Sequence, residues 1–493
     1  MSRALTAPSR VSSSQLLARI LETPNLAAQV QAMPPELLAR VIEHVGLEDA
    51  GEIVAFATTE QLAGVFDEDL WKSARPGEDE RFDASRFLVW LSVMLEAGDA
   101  FVASRLLELP PDLVTLAFHR QMLVIDMEVL TAEMLESGEE QVTRIEKALS
   151  NCLYEEIETY QLVARRHEGW DDVLTAVLAL DRDNHEHLMG ILERCCAMSA
   201  EYIEDNGGLY DVLSSEEMLE SDVAAEREDR RAEAGHVAPS SAAAFLKLAR
   251  TGGAAPGRDP LTRAYFRDLS KSQAPARAPR SAPAPEPPPD LVAVLQDAGI
   301  TERPRPLLPG PRAFEPLVVR AMRRLAGEAA FFERSAEIAY LANVLAAGCS
   351  FQQRRLRPAE AVRAAIATAS LGLELEAGAG IRAAVEALRA RPADALFRVG
   401  YGRLHRDVVL PAARCAERAL RETREPGAAA RVAAALAAGT PWVALAEVAL
   451  LEHDAHDALG GLMDECPTLG GAFLSRASDI ERARERLGIE RKR

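Results

Sequence analysis

Asp181 with His185, and Asp183 with His187, are acid and imidazole pairs four residues apart. On a helix that spacing is about one turn, so each pair shares a face. Glu193 follows on the same run, and Glu155, Glu156, Glu158 and His167 precede it. Carboxylates and imidazoles offered from facing helices are how bundle proteins hold paired iron or manganese. Asp181, Asp183, His185, His187 and Glu193 are therefore the candidate metal ligands. A ferritin-like site needs Glu-x-x-His on each of two helices, and neither run contains it. A polar face laced with Asp-to-His pairs is the plainer expectation.

Other chemistry is thinner. The acid-rich stretch from Glu201 to Glu233 lacks the acid, glycine and glutamate positions of a calcium loop, leaving weak binding of hydrated Mg²⁺ as the one cofactor to consider. Cys152, Cys195, Cys196, Cys349, Cys415 and Cys466 form no CxxC pair and are too sparse for a disulfide framework. Adjacent Cys195 and Cys196 would point about 100° apart on a helix. They read as reduced thiols. Gly400-Tyr401-Gly402 reads as a two-glycine turn, with Tyr401, His405, Arg406 and Asp407 as pocket-lining candidates. No phosphate loop, nucleophile elbow, HExxH or kinase signature occurs, so no catalytic or cofactor-binding residue is assigned and enzymatic activity is not the expectation.

The elements that must position these residues come from 493 residues, 48% hydrophobic and 27% charged, enough for several cores. Lysine occurs at only five positions, which with heavy alanine usage reads as the codon bias of a GC-rich bacterial genome. Residues 1–250 carry 21 basic and 47 acidic side chains, a balance of −26, and residues 251–493 carry 35 and 29, a balance of +6. An acidic half of this kind repels phosphate and attracts basic protein surfaces, so proteins and not nucleic acid are the expected partners. In the second half Arg354, Arg355 and Arg357 are candidate anion contacts. The low aromatic content of 5% argues against base stacking. Uncharged runs at Ile338 to Gln353 and Val432 to Ala446 are too short to span a bilayer, and the first residues lack a secretory pattern. No membrane insertion is expected, and the cytoplasm is the expected compartment.

A phrase repeats near the start. Met33-Pro-Pro-Glu-Leu-Leu38 precedes Val41-Ile42; twelve residues on, Val45-Gly-Leu-Glu-Asp-Ala50 precedes Ile53-Val54; twelve further, Ala57-Thr-Thr-Glu-Gln-Leu62 precedes Val65-Phe66. Leu109-Pro-Pro-Asp-Leu-Val114 before Ala117-Phe118 repeats it again. Each unit supplies an apolar residue, a turn or capping pair, an acid for the first helical turn and apolar positions at helical spacing. The expected elements are short helices that bury their faces only by stacking, a superhelix. Its first-turn acids, Glu36, Glu48, Asp49, Glu60 and Asp112, are the candidate partner contacts.

These phrases resemble the short-helix repeats of the cytosolic N-terminal domain of MgtE-type magnesium transporters and the related armadillo-like modules of the flagellar switch protein FliG. The resemblance covers residues 20–125 and implies an interaction or ion-sensing module. No CBS-type or membrane sequence follows, so transport is not implied. Gly235 to Arg250, Ala339 to Gly348 and Leu371 to Glu374 resemble an uncharacterised bacterial family of long helical proteins, a likeness that would span nearly the whole chain.

After this module, apolar positions at Leu123, Met127, Leu130, Met134, Ile145, Leu149, Leu153, Ile157 and Tyr160 recur at threes and fours and predict long helices, the last over Asp171 to Ala200. Ala274 to Pro289 is too proline-dense for helix or central strand. The chain is thus expected to be all-α: a flexible tail over 1–19, short-helix repeats over 20–125, a bundle over 126–250 with an acidic end, a Pro/Ala/Arg-rich linker over 251–290, and an Ala/Leu-rich helical domain over 291–493. The expected function is a non-enzymatic scaffold or adaptor. The alternatives are a Mg²⁺- or cation-responsive regulatory module and a helical-bundle metalloenzyme.

Overall fold

A proline at the start of a helix removes an N–H that would have no partner there, so the Pro-Pro pairs of the repeat should open helices. The computed structural model describes residues 13–23, 25–136, 152–204, 214–233, 235–251, 262–263, 265–267, 294–296, 300, 315–452 and 459–488. After α1 (Ser13–Leu21) and α2 (Leu26–Gln31), Pro34 caps α3 (Pro35–Val45). The second phrase yields a single turn, α4 (Gly51–Val54), and the third α5 (Thr59–Asp69). Thr58 and Gln61 close a capping box: the Thr58 hydroxyl accepts from Gln61 N, and Gln61 Oε1 accepts from Thr58 N at 2.9 Å. The Gln61 amide donates to the carbonyls of Val30 and Met33 at 2.7 and 2.6 Å, satisfying the end of α2. Alternate short helices pack together, α1 on α3 and α3 on α5. Gly64 of α5 makes that approach possible, since a Cβ there would press on the Pro35 ring.

The strand pair β1 (Trp71–Lys72) and β2 (Arg81–Phe82) leads to α6 (Ala84–Glu96), α7 (Asp99–Glu108) and α8 (Pro111–His119), the last capped by Pro110. The following stretch departs from expectation. Met122–Asp126 is β3, Met127–Glu136 is helix α9, and Tyr154–Ile157 and Tyr160–Ala164 are β4 and β5, an antiparallel sheet ordered β3-β5-β4. Leu162 and Val163 are buried there among β-branched and aromatic neighbours, which suit a pleated surface. Ile145 and Leu149 lie outside the described residues. The long helix α10 (Trp170–Glu204) packs across α6, α7, α8 and β3, and α11 (Ser215–Glu233) follows.

Helix α12 (Pro239–Arg250), expected to belong to the 126–250 bundle, instead buries Ala242, Phe245, Leu246 and Ala249 in a second core. That core also takes α13 (Leu317–Arg324), α14 (Ala329–Gly348), the hairpin β6 (Ser350–Phe351) and β7 (Arg354–Arg355), α15 (Pro358–Ala377), α16 (Ile381–Ala390) and α17 (Ala393–Leu404). A π-helical segment, His405–Val409, joins α17 to α18 (Leu410–Glu422); α19 (Pro426–Ala437), a 3₁₀ stretch (Pro441–Leu450), β8 (Thr468–Leu469), β9 (Ala472–Phe473) and α20 (Ala477–Arg486) complete the chain. Gly400-Tyr401-Gly402 is therefore no turn but helix interior. Gly400 of α17 lies against Thr368 and Gly372 of α15, and a Cβ at Gly372 or Gly400 would overlap the carbonyl oxygen of Leu396 or Thr368. The close backbone approach offsets the cost of about 1 kcal/mol that glycine carries inside a helix.

The described residues are all-α apart from that three-stranded sheet and short strand pairs. They form two compact units, one of residues between 13 and 72, 81 and 227 and 294 and 300, the other of residues 73–80, 228–267 and 315–488. Residues 13–19, expected in a flexible tail, lie in α1 because Leu16 and Ile20 give it a buried face. Most of the expected linker lies outside the described residues. Among the described residues no helix is long and apolar enough to cross a membrane.

Candidate functional site

Of the repeat acids, Glu36, Glu60 and Asp112 occupy first helical turns, whereas Glu48 and Asp49 fall in the turn before α4, whose first-turn acid is Glu52. Glu36 and Glu60 sit in the first turns of α3 and α5, where a carboxylate complements the positive end of the helix dipole. Glu36, Glu48, Asp49 and Glu60 are all exposed. Asp112 differs, being half-buried and paired with Arg194 of α10. Between α5 and the junction of α7 with α8 lies an open cleft of about 390 Å³ lined by Thr59, Glu60, Ala63, Glu108, Leu109 and Pro110. Two copies of the phrase, 57–62 and 109–114, thus contribute to one cleft. Glu108 accepts from the Thr59 hydroxyl and, at 3.1 Å, from Arg105, and these contacts hold its carboxyl below the usual range. The rim keeps its negative charge.

The His and Asp residues of α10 are arranged around a kink. Asn184 leaves helical geometry (φ −154°, ψ 75°), and its Oδ1 accepts from His187 N at 3.1 Å, capping a restarted helix. His185 Nδ1 lies 2.7 Å from Asp181 Oδ1 and Nε2 lies 3.1 Å from Glu158 Oε1. The Asp181 hydrogen bond, helped by Glu158, raises the pKa of this exposed imidazole. Both ring nitrogens of His185 are thus engaged by carboxylates. Asp183 accepts from Arg182 Nε at 2.7 Å, and Arg182 also reaches Asp99. His187 Nε2 is without a hydrogen-bond partner, and Glu193 is exposed further along the helix. Glu155, Glu156 and Glu158 belong to the β4–β5 hairpin and its turn, not to a facing helix. The five candidate ligands are therefore not brought together, and among the described residues no group of three or more His, Cys, Asp or Glu side chains could hold a metal ion.

The most concentrated polar chemistry lies elsewhere, inside the second unit. Glu465, 2% exposed, receives four groups: Arg250 Nη2 at 2.5 Å and Tyr401 Oη at 3.1 Å on Oε1, Ser350 N at 2.8 Å on Oε2, and His405 Nε2 at 3.0 Å on its backbone carbonyl. Asp464 Oδ2 accepts from Gln352 N at 2.8 Å, and its Oδ1 accepts from Glu465 N. Cys349 Sγ and Cys466 Sγ lie 3.3 Å apart, both buried. Arg250 stacks over Trp442, its guanidinium carbon 4.3 Å from the ring centroid. The Tyr401 ring lies between Phe397 and His405.

Burial dominates the electrostatics of this cluster. It pushes the Asp464 carboxyl up to about 7, raises Glu465 against the pull of Arg250, and, with Arg250, depresses His405 to about 3. The His405 ring is thus neutral and donates through Nε2. Burial also pushes the Cys349 thiol well above its ordinary value; the Cys349 contact pulls Cys466 down, but burial leaves it raised. His405 opens the π-helical segment, whose extra residue per turn re-aims the side chains that follow α17.

Tyr401 and His405 stood out in the sequence, and Arg406 and Asp407 do not join them: Arg406 is exposed, and Asp407 pairs with Arg403 and Arg406. Arg250, Trp442 and the acids Asp464 and Glu465 carried no motif. Their one signal was two adjacent acids inside the otherwise apolar run Leu459 to Cys466.

The model of a family of unknown function (DUF6178) matches residues 2–199 and 262–489 of the chain. No curated protein and no solved structure matches it.

Proposed function

We take as premise that the chain belongs to the DUF6178 family, and we propose that it acts as an adaptor, its acidic short-helix module docking a basic segment of a partner protein. The observation that carries this reading is the open cleft between α5 and the α7–α8 junction, built from two copies of the repeat and edged by Glu60 and Glu108. Glu36 on α3, and Glu48 and Asp49 in the turn between α3 and α4, are further exposed acids of the same module. Lining atoms of Ala63, Leu109 and Pro110 supply an apolar floor for the stem of an arginine or lysine, whose charged end would meet the rim. The resemblance of these phrases to MgtE and FliG modules implies an interaction or ion-sensing role; the first agrees with this reading and the second with the cation-responsive alternative. Asp112, engaged by Arg194, is left out of the docking surface.

The test uses full-length tagged protein in its native host, compared with the triple variant Glu36→Lys, Glu48→Lys and Glu60→Lys. All three positions are exposed, so the fold should persist, which circular dichroism checks. Quantitative mass spectrometry should find a basic protein that the wild type retains, that the variant loses, and that rising salt elutes. Identical sets of retained proteins would overturn the reading.

A further inference from the structure

The adaptor reading leaves the buried thiols of the second unit unused. We propose that Cys349 and Cys466 are a reversible dithiol–disulfide site, closed by a low-molecular-weight disulfide, and that its closure locks the two hairpins that carry them. This inference is independent of the cleft.

The geometry is prepared over several residues. Cys349 ends α14 in extended conformation (φ −100°, ψ 134°) and runs directly into β6, while Cys466 stands two residues before β8. Ser350 N is held by Glu465 Oε2 and Gln352 N by Asp464 Oδ2, both at 2.8 Å. Alternate residues after Cys349, Ser350 and Gln352, are therefore tied to Glu465 and Asp464, the two residues before Cys466, so the two segments run in opposite directions with the cysteines at the head of the pairing. The Phe351 and Phe473 rings, 5.4 Å apart, tie the two hairpins together a second time. A disulfide needs its sulfurs about 2.05 Å apart. They are at 3.3 Å, so side-chain rotation with a small backbone adjustment closes the gap. Adjacent Cys195 and Cys196, by contrast, diverge on α10.

The chemistry balances without a metal or cofactor. One thiol gives up its proton and attacks a sulfur of the small disulfide; that S–S bond breaks and one small thiol leaves, taking up a proton. The second cysteine then attacks the mixed disulfide, the Cys349–Cys466 bond forms, and the second small thiol leaves. The protein loses two electrons and two protons, and the small disulfide gains them. Burial keeps both thiols protonated, so closure waits on opening of the β6–β7 hairpin and is slower than that of an exposed thiol. The site is a slow lock and not a rapid peroxide sensor.

The experiment equilibrates the full-length protein with glutathione disulfide at pH 8, quenches with acid, alkylates and digests. A peptide linking Cys349 to Cys466 is expected, lost in both Cys349→Ala and Cys466→Ala and reversed by dithiothreitol. The linkage closes a long loop, residues 117 apart in the chain, so the oxidised wild type should melt several degrees higher than the reduced form. Neither alanine variant should show that rise. Absence of the linked peptide under conditions that modify Cys152 and Cys415 would overturn the proposal. So would a linked form that melts at or below the reduced protein.

Discussion

Buried His405 and Asp464 titrate against each other. His405 binds its proton less well in the folded state, about 3 against 6.5, so the unfolded chain takes up protons first and stability falls as pH drops from 6.5 toward 3. Asp464 is raised, about 7 against 3.8, so the folded state holds its proton longer and stability falls as pH rises from 3.8 toward 7. Each factor of ten in proton affinity is worth about 1.4 kcal/mol, so both slopes amount to a few kcal/mol and oppose one another over most of that window. We expect His405→Gln, which keeps an N–H for the Glu465 carbonyl, to unmask the Asp464 slope, with stability declining from pH 4 to 7. Asp464→Asn should unmask the opposite slope. Urea unfolding at pH 4, 5.5 and 7 checks both, and parallel curves for wild type and variants would contradict the assignment. At this scale the sequence was partly legible. Tyr401, His405, Cys349 and Cys466 were each visible, but nothing in their spacing tells that they meet across more than a hundred residues. The Asp181, His185 and Asp183 spacing was visible too, yet Asn184, a good capping residue, broke the helix that the spacing presumed.

Among the elements, the crossing of α15 and α17 depends on two hydrogen atoms. A methyl group at Gly372 or Gly400 meets backbone and not a flexible side chain, so the helices must part and reopen the core between them. Gly400→Ala is expected to cost about 2–4 kcal/mol despite the higher helix propensity of alanine. Gly427→Ala, in the first turn of α19 with only the tip of Arg431 near its Cβ, should be neutral or slightly stabilising. Chemical denaturation of the two variants separates packing from propensity, and equal effects would exclude the packing account. The repeat helices were readable because their signals are local: proline, threonine and acid at the start, apolar residues three and four later. The strands β3, β4 and β5 were not. Leu123 and Met127, or Leu153 and Ile157, match a helical period by chance over so few residues, while strand pairing is a contact between segments far apart in the chain. Gly400-Tyr401-Gly402 failed for the same reason, since the partner that makes glycine useful there is Gly372.

For the molecule as a whole, charge is the property that composition conveys best. The carboxylates of Glu36 and Glu60 sit on separate helices and those of Glu48 and Asp49 in one exposed turn, and Mg²⁺ held by so few exposed carboxylates keeps its water and binds weakly. Under the adaptor reading, millimolar Mg²⁺ should therefore produce no heat above dilution and no change in the radius of gyration of the full chain. Compaction measured by small-angle scattering would favour the cation-responsive alternative. The all-α class was legible because helix composition is pervasive; the assignment of α12 to the second core was not, because its apolar face would suit either core. The buried cluster around Glu465 has a further consequence, for the order in which the protein is made. Arg250 and Glu465 stand 215 residues apart, and ribosomes add about 5–20 residues per second. For roughly 10–40 seconds of synthesis, then, the guanidinium of Arg250 awaits a carboxylate that has not been translated. Nascent chains that end before Cys466 should remain open to proteases across the second unit and occupy chaperones, whereas the repeat module, complete long before, can already be folded.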